Sequence, residues 1–253
     1  MKKIILTGIL ALAAGASGLM AQAKGPAPKS QKELDALKAM FAAVQTGPDQ
    51  TIAAAEELLT KFADTDFKDT ALHFEAEAYQ QKNDLDKAQI YAERVLEVNP
   101  KHFQAQLMLA EILAQRTREM DLDREEKLVK ADKYADDTIT ILKTLPKPNP
   151  QITDEQWEEL KKQSVARAHS AKGLAALTRK KFDVAVAEFK SAADNDPQPT
   201  YLVREASALE SAGKHDEAIA ICDKVLADAQ LHPQIKGVAQ SIKAQAAKAS
   251  GKK

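Results

Sequence analysis

Five histidines, one cysteine and one cluster of acids are the side chains here with types that could do chemistry. His73, His102, His169, His215 and His232 are scattered. No two stand four apart, the spacing that places a zinc-binding pair on one helix face. Asp121, Asp123 and Glu125 begin like a calcium loop, which also needs glycine at its sixth place and a bidentate glutamate at its twelfth. Glu126 and Asp132 hold those places, so the acids read as a solvated helix start, favoured by the helix dipole. Cys222 is the only cysteine, which excludes an intrachain disulfide. It stands where other copies of an internal pattern place a packing residue, and reads as a small buried apolar group rather than a nucleophile. Glycine-rich phosphate loops, serine elbows and His-Glu-x-x-His motifs are absent from the sequence. Catalytic residues, metal and cofactor are therefore all expected to be none.

The elements that carry these residues are helices in pairs. From Asp69 to His102 two amphipathic stretches flank a polar break at Asn83-Asp84, and Pro100 ends the unit because proline cannot continue a helix. A pair this small cannot bury its apolar faces alone and needs stacked copies. Ala88 recurs as Ala131, Ala185 and Ala218. One helical turn later come Ala92, Ala135, Phe189 and Cys222. The small residue of the preceding helix recurs as Ala76, Ala110, Gly173 and Ala206. Ala185 and Ala218 are 33 residues apart, but 43 separate Ala88 from Ala131, and the excess marks an insertion at 117–127.

In these residues the chain resembles the tetratricopeptide repeat family, best over 166–199, where Gly173, Phe182, Ala185, Phe189, Ala192 and Pro197 all fall in family positions. The resemblance covers roughly 69–232. It implies an all-α, right-handed solenoid of antiparallel helix pairs with ten or eleven helices. A degenerate pair over 30–68 starts the array, with Ser30 and Glu33 as a capping box. Repeats follow at 69–102, 103–145, 166–199 and 199–232, then a capping helix over 234–249. The second helix of the degenerate pair is expected from about Gln50, after a Gly47-Pro48-Asp49 turn. Pro146, Pro148 and Pro150 interrupt the array, and Trp157 stands just beyond them.

The first 23 residues read as a bacterial secretory signal: a Lys2-Lys3 start, an apolar run from Ile4 to Ala14, and Ala21-Gln22-Ala23 as cleavage site. The apolar run is short for a membrane span. The mature chain is expected to begin at Lys24 with a leader over 24–29, and to be periplasmic or extracellular without stable membrane insertion. Across the whole sequence 36 basic and 37 acidic side chains nearly balance, which is no electrostatic footprint for nucleic acid.

The resemblance implies a protein or peptide partner held in a groove lined by the first helix of each pair. The lining expected here is His73, Glu77 and Gln81, then Gln104, Leu107 and Glu111, then Arg167, Ser170 and Leu174, then Arg204 and Ser207. Glu77 and Glu111 should repel anionic tails from one half, and Arg167 and Arg204 should attract acidic groups to the other. The reading is a non-enzymatic interaction scaffold of the cell envelope. A structural subunit or assembly factor of an envelope complex is its alternative. A small-ligand carrier or an enzyme would need a convergent polar pocket that the linear sequence does not display.

Overall fold

The computed structural model describes residues 26–148 and 151–251. The expected signal segment lies outside the described residues, as do Lys24 and Gly25 of the leader and Pro150. The described residues form eleven α-helices and no strand. They divide into two compact units, one of residues up to 105 with 146–154, the other of 106–145 with 155 onwards.

The first unit holds α1 (Gln31–Ala43), α2 (Pro48–Lys61), α3 (Lys68–Gln81) and α4 (Leu85–Val98). Ser30 Oγ accepts from the Glu33 backbone N–H at 3.1 Å, as expected. Glu33 does not return the bond to Ser30. Its carboxylate accepts instead from the Lys29 N–H at 2.6 Å and from Thr65 Oγ1 at 2.6 Å, tying the helix start to the α2–α3 loop. α2 begins at Pro48, two residues earlier than expected, because proline at the first helical position loses no bond the helix needs. Leu37, Met40, Ala55, Leu58, Phe67 and Ala71 form the core here. Phe41 meets Phe74 edge-on at 5.5 Å, and Tyr79 stacks on Tyr91 at 5.1 Å, filling the space between α3 and α4.

The second unit takes up α5 (Phe103–Arg116) from Gln106 onward, then α6 (Arg124–Thr144), α7 (Asp154–Thr178) from Glu155 onward, α8 (Phe182–Asn195), α9 (Pro199–Ser211), α10 (His215–Leu226) and α11 (Pro233–Ala249). Its core is a run of local clusters. Leu107, Ala110, Leu113, Ala131, Ala135, Ala168 and Ala171 join α5, α6 and α7. Ala176, Ala185, Phe189 and Ala208 join α7, α8 and α9, while Val203, Ala206, Cys222, Ala239 and Ile242 join α9, α10 and α11. Every residue of the series Ala92, Ala135, Phe189 and Cys222 is fully buried. Trp157 is buried too, which makes it a packing residue.

Three helix pairs share one turn. Asn83, Lys180 and Gly213, each five residues before the recurrent alanine, have φ of 59°, 60° and 75°. The next residue donates its N–H back across the turn, from Asp84 to Tyr79 O, Lys181 to Ala176 O and Lys214 to Leu209 O, each 2.9 Å. This left-handed cap satisfies carbonyls that the helix end leaves open. Between α5 and α6 the turn is replaced by the inserted segment. Only its first part is loop: Arg124 to Lys127 lie inside α6 and lengthen that helix by about one turn. The loop is fastened by Arg124 Nη1 to Glu119 O at 2.9 Å and by Lys180 to Glu119 at 2.5 Å. The carboxylates with calcium-like spacing are taken up locally: Lys127 lies 3.8 Å from Asp121 and 2.9 Å from Asp123, and Arg179 pairs with Glu125 at 3.0 Å.

Candidate functional site

In the first unit, α3 carries His73 and Glu77 one turn apart, with Gln81 exposed at its end. His73 is buried, and its Nε2 stands 3.3 Å from Glu77 Oε1. Its ring lies 4.7 Å from that of His102. His102 Nδ1 accepts from the Ala105 N–H at 3.3 Å, which needs a neutral ring. Burial, and then the neighbouring His73, push the His102 pKa down to about 4. His102 is thus a neutral ring packed against His73. Gln104 is half-buried at the start of α5.

In the second unit, consecutive first helices α5, α7 and α9 lie side by side and bring together residues far apart in sequence. Arg167 on α7 donates from Nε to Glu111 Oε1 at 2.8 Å and from Nη2 to Oε2 at 2.6 Å, a two-pronged pair between α7 and α5. Arg204 on α9 donates from Nη1 to the buried Ser170 Oγ on α7. Leu107 belongs to the core and supports this face from beneath, whereas Leu174 and Ser207 are half-buried. Glu111, expected with the acidic half, is paired here with Arg167 of the basic half.

Arg204 is different. Among the described residues its only hydrogen bond goes to the Ser170 hydroxyl, and no carboxylate touches it. Burial holds its pKa below the usual arginine value, against the weaker pulls of Tyr201 and Glu111. Tyr201, one turn before Arg204 on α9, is partly buried, with its hydroxyl pushed up by burial. Sequence reading missed it, though its i, i+3 relation to Arg204 puts both on one helix face. A guanidinium has five donors and no acceptor, so with a single neutral partner Arg204 keeps donors from which an anion can accept.

Elsewhere in this unit, His169 Nδ1 meets Glu188 at 2.7 Å, and Lys172 links Glu188 at 3.1 Å to Asp136 at 2.9 Å. These pairs tie α6, α7 and α8 together. Cys222 is enclosed in a different cluster, and burial pushes its thiol pKa up. Among the described residues no three histidine, cysteine or acidic side chains come together as metal ligands.

The tetratricopeptide repeat family model matches residues 75–136, 160–198 and 170–233, together more than half of the chain. The chain belongs to the tetratricopeptide repeat family. Solved structures share the fold at low identity. A thermophilic tetratricopeptide protein of Thermus thermophilus aligns with TM-score 0.55 and 19% identity over 83% of this chain and 98% of its own. MamA of Desulfovibrio magneticus RS-1, from residue 41 to its end, gives 0.59 and 16% over 78% and 94%. MamA AMB-1 gives 0.53 and 18% over 82% and 97%. No curated protein matches the chain in sequence. A tetratricopeptide array is typically a scaffold for protein–protein interaction. Among the described residues no helix is long and apolar enough to cross a membrane.

Proposed function

We propose that this chain is a non-enzymatic, exported scaffold of the bacterial cell envelope that holds a carboxylate-bearing protein segment on the α5–α7–α9 face, with Arg204 as the anchor. The observation that carries the reading is the state of Arg204, a partly desolvated guanidinium whose one bond goes to a neutral hydroxyl. A carboxylate arriving there gains charge-assisted bonds to donors already held in place. Tyr201 shares a helix face with it and acts on it electrostatically. Family membership supports the protein partner, and the Lys2-Lys3 start with Ala21-Gln22-Ala23 supports export.

Two probes test the anchor: an N-acetylated, amidated alanine hexapeptide with one glutamate, and an unacidic alanine hexapeptide with a free C-terminus. Fluorescence or calorimetric titration of the mature chain should detect binding of at least one, and comparing the two tells an acidic side chain from a chain end. Arg204→Gln should weaken that binding about tenfold or more while the melting temperature stays close to wild type. Equal binding by wild type and Arg204→Gln rejects the anchor. Export is tested separately by N-terminal sequencing from envelope fractions of the native host, where a chain still starting at Met1 contradicts it.

A further inference from the structure

The Glu111–Arg167 pair bears on which carboxylates this face accepts. Glu111 is mostly sheltered, with a side chain 17% exposed, while Arg167 is 46% exposed. Both Glu111 oxygens are engaged by Arg167, one by Nε and one by Nη2. Glu111 is also close enough to Arg204 and Tyr201 to act on both electrostatically. The face therefore holds two guanidiniums on neighbouring helices, and one of them presents to Glu111 the edge it would use on a ligand.

We infer that Glu111 is a specificity filter: an internal carboxylate that occupies the Arg167 edge and confines the face to a lone carboxylate at Arg204, against runs of acidic residues. The inference rests on the proposed anchor at Arg204. The reasoning is a difference between ligands. A single carboxylate at Arg204 meets one guanidinium and, further off, a Glu111 charge already compensated by Arg167. A second or third carboxylate in the same segment must displace Glu111 or lie beside it. Repulsion between like charges at a partly desolvated site is less screened than in water. Discrimination by an unfavourable contact with the wrong ligand needs no gain in affinity for the right one. Replacing Glu111 by its neutral isostere removes the charge and opens the Arg167 edge, leaving two guanidiniums for an acidic run.

The test compares two N-acetylated, amidated alanine hexapeptides, one with a single glutamate and one with three consecutive glutamates. Wild type should bind the single-glutamate peptide at least as tightly as the triple one. Glu111→Gln should reverse that order, favouring the triple peptide by about tenfold or more. With wild type alone, raising salt from about 0.05 to 0.5 M should narrow the preference, since the repulsive term is the screened one. That measurement stands even if the variant folds poorly. An unchanged peptide ratio in Glu111→Gln, with Arg204→Gln still weakening binding about tenfold or more, overturns the filter and leaves the anchor intact. Weaker binding of the single-glutamate peptide by Glu111→Gln also overturns it, because Glu111 would then serve to position Arg167 for the ligand. If neither peptide binds wild type or Glu111→Gln, anchor and filter fall together.

Discussion

Gly173 on α7 lies against the ring of Phe189 on α8 so closely that a Cβ at Gly173 would be 2.6 Å from the ring. In a free helix Gly→Ala stabilises by about 1 kcal/mol. Here the clash decides the sign, because Phe189 is fully buried and cannot swing away. Gly173→Ala should destabilise by about 1–3 kcal/mol. Gly237, inside α11, has nothing within 4 Å of the same position, so Gly237→Ala should stabilise by about 1 kcal/mol. Urea unfolding of the two variants checks the opposite signs.

Lys180 holds the left-handed conformation that its counterpart Gly213 adopts without a Cβ penalty. Its ion pair with Glu119 is exposed and contributes little. Lys180→Gly should therefore raise stability by up to about 1 kcal/mol, and Gly213→Ala should lower it by a similar amount. Similar thermal midpoints for both variants and wild type would show that turn strain has no part in stability.

Glu75 gives the first unit a pH dependence. It is 1% exposed on α3, its Oε2 has no hydrogen-bond partner, and burial pushes its pKa up to about 7, with Arg94 opposing and Glu56 adding to the shift. A carboxyl raised on folding favours the native state while protonated. Its contribution is complete below about 4.5, the unfolded value, and is lost as pH rises to about 7. His102 works the other way: lowered to about 4, it favours the native state when neutral and costs stability as pH falls below 6.5. Between about 4.5 and 6.5 the two slopes oppose. Glu75→Gln should leave stability rising with pH in that window, and His102→Gln should leave it falling, each by up to about 1.4 kcal/mol per pH unit. Chemical denaturation across the window measures both slopes. Parallel curves for the three proteins would mean neither group is linked to folding.

Cys222 is fully buried and its thiol is held above the ordinary cysteine value by burial. A disulfide reagent should label it slowly in the native chain and rapidly in denaturant. Equal rates would place the thiol at the surface.

The repeat register was legible because close helix approach demands small residues, and Ala76 with Ala88, Gly173 with Ala185 and Ala206 with Ala218 carry that demand, each pair 12 residues apart. Ends of helices were less legible. Pro48 reads as part of a turn, yet it begins a helix, since a proline stops the turn before it and suits the turn after it. The candidate face was legible only in part. Arg167 and Arg204 were found by repeat position, but nothing in the sequence pairs Glu111 with Arg167 across 56 residues. That pairing depends on the stagger between two first helices, a property of packing. Glu75 carried a signal that went unread, a charged residue inside the apolar stripe of Ala71, Leu72, Ala76 and Tyr79.

The α5–α6 loop shows what the tips of these pairs tolerate. Where three pairs turn within a few residues, the fourth carries a longer loop with Met120 and Leu122 turned to solvent, and Ala110, Ala131 and Ala135 beneath it still meet in the core. Lengthening a surface loop costs little, about 0.6 kcal/mol per doubling. The tips at Asn83, Lys180 and Gly213 are thus natural grafting points. An epitope, a fluorophore tag or a second binding loop spliced there would ride on the scaffold without entering its core.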